Sequence, residues 1–197
     1  MIAWQSDRGE PLRHEQDIGR SMDAPEVFAV VFDRHFHEIH GYVARRLGTS
    51  VADDIAADTF LIAYRKRASY DATVGSVRAW LYGIATRQIS RHRRDEMRTY
   101  RAMRRAAGSP LAEEHAADNT EFVADRVTAL TARRDLAVAL AALSPGDRDV
   151  LLLVALAGLS HAEVAAALRI PYGTVGSRLS RARKKLRAAL GAHHPAA

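Results

Sequence analysis

The chain of 197 residues has no cysteine, so disulfides, thiolate zinc sites and thiol sensing of its own are excluded. Lysine is nearly missing too. Lys66, Lys184 and Lys185 are the only three, and arginine supplies the rest of the 29 basic residues. Aromatic residues make up only 7% and β-branched runs are short, so the usual strand signals are weak. No apolar run approaches the roughly 20 residues needed to span a bilayer. The opening stretch MIAWQSDRGEPLRHEQ lacks the apolar core of a signal peptide, which predicts a cytoplasmic protein without membrane insertion. There is no glycine-rich phosphate loop, nucleophile–base pair or metal cluster, which argues against an enzyme, a cofactor or a small-molecule substrate. His35, His37, His40 and His92 read as surface or core histidines, since no carboxylate triad accompanies them.

Alanine, leucine, arginine and glutamate dominate instead, and they favour helices. The predicted fold is all-α: two small helical domains joined by a flexible acidic linker, the second with a helix-turn-helix. The net charge of +6 points to a polyanionic partner.

Residues 1–22 are polar and aperiodic, which predicts a disordered tail, and the true start is either Met1 or Met22. Asp23-Ala24-Pro25-Glu26 has the pattern of a capping box with proline in the first turn. Val27, Val31, Phe36, Ile39 and Val43 follow near helical spacing, and Gly48 closes that helix. A second helix is expected over residues 51–67. SYDATVG is a loop. A third helix starts near Ser76, apolar first and basic afterwards. Between Arg87 and Arg105 stand eight arginines, at 87, 91, 93, 94, 98, 101, 104 and 105, against Asp95 and Glu96. From Ser109 to Asp125 the sign reverses, with Glu113, Glu114, Asp118, Glu121 and Asp125 and no basic residue. The predicted units are therefore 23–98, a linker at 99–132, a second domain at 133–191 and a tail at 192–197.

In the second unit DLAVALAAL is one helix. Ser144 and Pro145 start the next, which ends at Gly158. Ser160 and Glu163 form a capping box before a short helix, the turn RIPYG and a final basic helix. Helix, tight turn and basic helix make the helix-turn-helix pattern. On a wheel of about 100° per residue, Val175, Leu179, Ala182 and Leu186 fall on one stripe, which should face the preceding helices. The other face carries Thr174, Ser177, Ser180, Arg181 and Lys184, flanked by Arg178 and Lys185. Six residues from Thr174 to Arg187 are basic (178, 181, 183, 184, 185, 187) and none is acidic, a signal for phosphate and major-groove contact. Gly176 interrupts this helix. It either lets the backbone approach DNA closely or marks a base contact that has been lost.

Three stretches in this order resemble bacterial RNA polymerase sigma factors of the extracytoplasmic-function (ECF) type. ADDIAADTFLIAYR resembles the core-polymerase-binding helix and VRAWLYGIATRQISRHRR the promoter-melting helix. LSPGDRDVLLLVALAGLSHAEVAAALRIPYGTVGSRLSRARKKLR resembles the promoter-reading domain. The resemblance implies a transcription initiation factor that binds core polymerase through the clamp helices of the largest subunit and the beta flap. It implies promoter DNA as the second partner, an anti-sigma factor as the third, and a stress or envelope-response regulon. Asp54, Asp58 and Arg65 would bind core. Arg78, Arg87, Arg91 and Arg94 would bind the minus-ten element. Thr174, Ser177, Arg178, Ser180, Arg181, Arg183, Lys184 and Lys185 would bind the minus-thirty-five element, with phosphate contacts from Arg178, Arg181, Arg183 and Lys185 supplying more of the affinity than base contacts. Where the family carries Gln then Glu, a small amide, a turn glycine and a basic residue, this chain has Ala57 and Asp58, Arg87, Arg169 and Gly176. The alternative is a free-standing helix-turn-helix regulator, which leaves Asp54–Arg65 without a role. Trp80, set among Val77, Leu81 and Ile84, is expected in the core.

Overall fold

A computed structural model describes residues 17–106 and 134–191. The acidic run at 113–125 lies outside the described residues. Two helical units are present, and they pack against each other.

In the first unit α1 (Phe28–Leu47) follows a 3-10 turn at Pro25–Val27, with proline in the position where a missing N–H is harmless. The capping box expected of Asp23 and Glu26 does not form. Ala24 takes the cap position without a side-chain bond. The chain arrives there already turning, because the N–H groups of Asp23 and Ala24 both donate to the Arg20 carbonyl. The loose tail expected through residue 22 is likewise corrected. Residues 17–20 are helical, Ile18 is 1% exposed within the core, and Arg67 donates to the Ser21 carbonyl at 3.2 Å. Gly48, at φ 91°, ends α1 as expected.

α2 (Ala52–Lys66) and α3 (Val77–Ala106) complete this unit. α3 continues past the predicted boundary at 98, since nothing in its arginine-, methionine- and alanine-rich second half breaks a helix. Residues 99–106, expected in the linker, therefore belong to α3. Ile39, Tyr42 and Val43 of α1, Ala56, Phe60 and Ala63 of α2, and Leu81, Ala85 and Ile89 of α3 form the core. The Tyr42 hydroxyl meets Thr86 Oγ1 at 3.0 Å, so this buried phenol is satisfied.

In the second unit α4 (134–141) leads to α5 (Pro145–Ala157), α6 (His161–Leu168) and α7 (Tyr172–Gly191). The caps match the sequence. Ser144 accepts from the Asp147 N–H, Gly158 is left-handed, and Ser160 with Glu163 forms the full reciprocal box. Arg169 turns the chain between α6 and α7 at φ 53°, a conformation costly for a residue with a Cβ. Val150, Leu153, Val164, Val175, Leu179 and Ala182 are buried together, so α7 packs on α5 and α6 through the expected stripe.

The two units meet along a seam between α3 and α6. Gly83 makes it possible: a Cβ there would lie 2.2 Å from the Ala167 carbonyl oxygen. Gly75 plays the same part against Ala166, at 2.7 Å from its Cβ. Three arginines of the first unit reach carbonyls at the helix ends of the second. Arg45 donates to Leu156 at 3.0 Å, Arg78 to Ala157 at 2.5 Å and Arg87 to Ala167 at 3.3 Å. Helix C-termini carry unpaired carbonyls and partial negative charge, so cations are favoured there. Arg46 adds an ion pair to Asp149 at 2.6 Å, with only 2% of its side chain exposed. Burial alone would lower its pKa, but Tyr42 and Asp149 outweigh that and raise it.

Two outcomes follow. Arg169→Gly removes the left-handed penalty and stabilises the chain by roughly 1 kcal/mol, which thermal unfolding reads as a rise of about 2–4 °C; an unchanged midpoint would show the turn to be unstrained. Gly83→Ala improves the propensity of α3 by about 1 kcal/mol but places a methyl group against the backbone of α6. It should open the seam and raise the radius of gyration in small-angle scattering while the first unit stays folded. An unchanged radius would mean the seam tolerates a Cβ.

Candidate nucleic-acid interface

Three charged surfaces were expected, and the structure distributes their residues unequally. On α2, Asp54, Asp58 and Arg65 are all exposed, and none forms an ion pair among the described residues. The neighbouring Asp53 does, with His40 at 3.0 Å. Asp54 and Asp58, one turn apart, therefore present unspent carboxylates on one helix face.

On α3 the predicted arginines divide into two kinds. Arg78 is committed internally: Nε binds Glu38 at 2.8 Å, Nη2 reaches the Ala157 carbonyl, and the guanidinium lies over the Tyr82 ring at 5.1 Å. The His35 ring pairs with the other oxygen of Glu38 at 2.6 Å. Burial alone would raise the Glu38 pKa, but the His35 and Arg78 bonds hold it below the usual carboxylate value. Arg78, expected at the minus-ten element, neutralises Glu38 within the seam in this arrangement. Arg87 is held by Ala167, and burial together with the Arg169 charge lowers its pKa. Arg91 and Arg94 are exposed; Arg91 has only a loose 3.7 Å pair to Asp95. Arg87, Arg91 and Arg94 line one cleft with Ser90, and Asp149 and Leu168 of the second unit close its far side.

Trp80, expected in the core, is only partly buried. Its ring lies 5.2 Å from that of Tyr70, and together with Val74, Ile170 and Tyr172 the pair lines a groove between the units. His35 is buried against Glu38, and His40 and His92 pair with Asp53 and Glu96. No group among the described residues could hold a metal ion.

On α7, Val175, Leu179 and Ala182 are buried and Leu186 is partly so. Ser177, Ser180, Arg181, Arg183, Lys184 and Lys185 are exposed. Thr174 is half-buried, and its carbonyl accepts from the Ser177 hydroxyl at 3.1 Å. Arg178 packs against the start of α5, where a Cβ on Gly146 would come within 2.6 Å of its guanidinium. Gly176 is exposed with open space around it, so no part of this chain forces a glycine there.

Sequence reasoning missed Asp147. Its carboxylate receives Arg181 Nη2 at 3.1 Å and Nε at 3.5 Å. Burial alone would raise its pKa, but Arg181 and Ser144 outweigh that and lower it. Gly83, Arg45 and the Arg46–Asp149 pair were missed as well. Only SPGDRD, with two carboxylates beside a cap, hinted at any of them.

Comparison with known proteins agrees with this arrangement. Sigma-70 region 2 matches residues 31–99, and Sigma-70, region 4 matches residues 133–186. The ECF RNA polymerase sigma factor SigK of Mycobacterium sp. (strain KMS) is 30% identical over 174 residues, 87% of this chain and 86% of that protein. The ECF RNA polymerase sigma factor SigC of Mycobacterium tuberculosis (strain CDC 1551 / Oshkosh) is 32% identical over 151 residues, 76% of this chain and 75% of its own length. Among solved structures, CnrH in complex with the cytosolic domain of CnrY superposes at a TM-score of 0.62 and 25% identity, over 92% of this chain and 99% of that one. The sigma factor RpoE of Bartonella quintana, in complex with the anti-sigma factor NepR, shares the fold at a TM-score of 0.54 and 23% identity, over 83% and 96%. With both regions matched in order and relatives aligned over most of their length, the chain belongs to the ECF RNA polymerase sigma factor family.

Proposed function

We propose that this chain joins core RNA polymerase in the cytoplasm and directs it to specific promoters, without catalysis of its own. The observation that carries this reading is the order of three charged surfaces along one chain. Unspent carboxylates stand on α2, an arginine row follows on α3, and a cationic helix ends a helix-turn-helix. Asp54, Asp58 and Arg65 meet the clamp helices of the largest subunit, and the second unit meets the beta flap. Arg91 and Arg94 contact the minus-ten element as it opens. Arg87 joins them when α6 lifts away, because the closed seam holds its guanidinium against Ala167. Arg78 stays with Glu38 and supports α3 from behind. On α7, Thr174, Ser177, Arg178, Ser180, Arg181, Arg183, Lys184 and Lys185 face the minus-thirty-five element. An anti-sigma partner is supported by CnrH and RpoE, each solved with a bound partner of that kind or with the CnrY cytosolic domain. A stress or envelope-response regulon follows from the family reading.

Run-off transcription with purified core polymerase tests the proposal. Promoter-specific products from a genomic library are expected, together with weak duplex binding by the chain alone. A free-standing regulator would give the reverse pattern. Asp54→Arg with Asp58→Arg should abolish co-purification with core at unchanged helix content, since repulsion from basic clamp residues would replace attraction. Wild-type recovery of core would show the two carboxylates to be merely solvated.

Gly176→Arg separates the two accounts of that glycine. The open space around it removes any clash within the chain. A restored arginine is expected to strengthen upstream-element binding and alter its sequence preference, within the 1–3 kcal/mol or so of a bidentate base contact. A sharp loss of promoter activity at unchanged core binding would instead mean that the backbone of α7 approaches the DNA there.

A further inference from the structure

We infer that Asp147 is a positioning residue for promoter specificity: it holds Arg181 in one orientation and makes it a reader of guanine, not a phosphate contact. The inference rests on the proposal that α7 enters the upstream promoter element. It departs from the phosphate role that the resemblance implied for Arg181.

The geometry separates Arg181 from the other basic residues of α7. The Asp147 side chain is 6% exposed, while that of Arg181 is 55% exposed. The carboxylate is therefore enclosed, while more than half of the arginine side chain stays open to solvent. Asp147 lies in the first turn of α5, where its backbone N–H is capped by Ser144 Oγ at 3.3 Å. A carboxylate is favoured at a helix N-terminus, and of the two cations that act on this one, Arg181 and Lys185, Arg181 is the hydrogen-bonded partner. Arg181 meets it edge-on, Nη2 to one oxygen and Nε to the other. That contact uses one hydrogen of Nη2 and the only hydrogen of Nε. What remains is the pair on Nη1 and the second hydrogen of Nη2, a planar fork at the tip of the side chain.

Such a fork matches two adjacent acceptors, and guanine presents O6 and N7 side by side in the major groove. A phosphate contact needs no such restraint, and pairing with a carboxylate weakens it by removing net charge. Arg183, Lys184 and Lys185 are exposed without an ion pair among the described residues, as suits backbone contacts that set position and not sequence. Arg178, laid against Gly146, steadies the neighbouring turn of the same face. Preorganisation of this kind lowers the ordering cost on binding and sharpens the penalty for a wrong base.

The test uses the reconstituted holoenzyme and a duplex library randomised through the promoter region. Wild type is expected to enrich guanine at one upstream position. Asp147→Asn and Arg181→Lys should each reduce that preference roughly fivefold or more, the low end of what a bidentate arginine–guanine pair discriminates. Core binding and the salt dependence of promoter affinity should not change. The double variant should be no worse than Arg181→Lys alone, because both substitutions remove one coupled contact. Arg181→Lys leaves α5 untouched, so it decides the matter even if Asp147→Asn loosens that helix. An unaltered base profile in Arg181→Lys overturns the inference. So does an Asp147→Asn enzyme whose base profile is unchanged but whose salt slope steepens by about one phosphate contact. Absence of any upstream preference in the wild-type holoenzyme would instead overturn the reading of α7 itself.

Discussion

The closed arrangement depends on one backbone approach, α3 against the end of α6 at Gly83. Any side chain there would hold the helices apart, and the flanking polar contacts would lose their geometry. Because the helices touch, Arg45, Arg78 and Arg87 reach carbonyls at the ends of α5 and α6. Hydrogen bonds involving a charged group are worth about 1.5–3 kcal/mol each, so the partly buried bonds of Arg78 and Arg87 add a polar rim to the apolar centre of the seam. Arg46 and Asp149 lie beside it, paired at 2.6 Å and nearly closed to solvent. Removing either partner would leave a buried charge uncompensated.

The same seam governs which arginines are available. This chain relies almost wholly on arginine for positive charge, and a guanidinium folded onto seam carbonyls has fewer of its five donors left for phosphate. Arg78 and Arg87 are engaged in the closed form, whereas Arg91 and Arg94 stay exposed along the same helix. Crowding adds tension. Burial and the neighbouring Arg46 lower the pKa of both Arg93 and Arg148, whose charges gather around the single carboxylate of Asp149. Closure therefore concentrates like charge at the junction, and a polyanion drawn to α3 would compete with the carbonyls for the same donors.

On α7 the partition is different. Its outward side near the start is small, with Gly173, Gly176, Ser177 and Ser180 all exposed. Long cationic chains begin only at Arg178 and Arg181, and both are braced against the start of α5. The helix thus offers a slim leading end and a rigid pair of guanidinium groups behind it. Arg169 sets the angle at which it leaves α6, at the cost of a left-handed arginine.

Local rules were legible in the sequence. Ser144 with Pro145, Gly158, the Ser160–Glu163 box and Gly48 each marked a helix end, because capping is decided by residues within one turn. The apolar stripe of α7 and the exposed carboxylates of α2 followed from helical periodicity in the same way. The sequence misled at Asp23, where a capping pattern was present but an incoming helical turn took the N–H, and at residues 17–22, where one isoleucine among polar neighbours carried too little signal to mark a core position. Only the tertiary structure decided the partners of Arg78, Arg87 and Arg181. Each is an exposed-looking arginine in a helical repeat, and each finds its acceptor on another helix, 34 or more positions away in the chain. Periodicity shows which way a side chain faces. It carries no information about a carboxylate or carbonyl brought to that face by a different helix, and so the charge of these residues was readable while their availability was not.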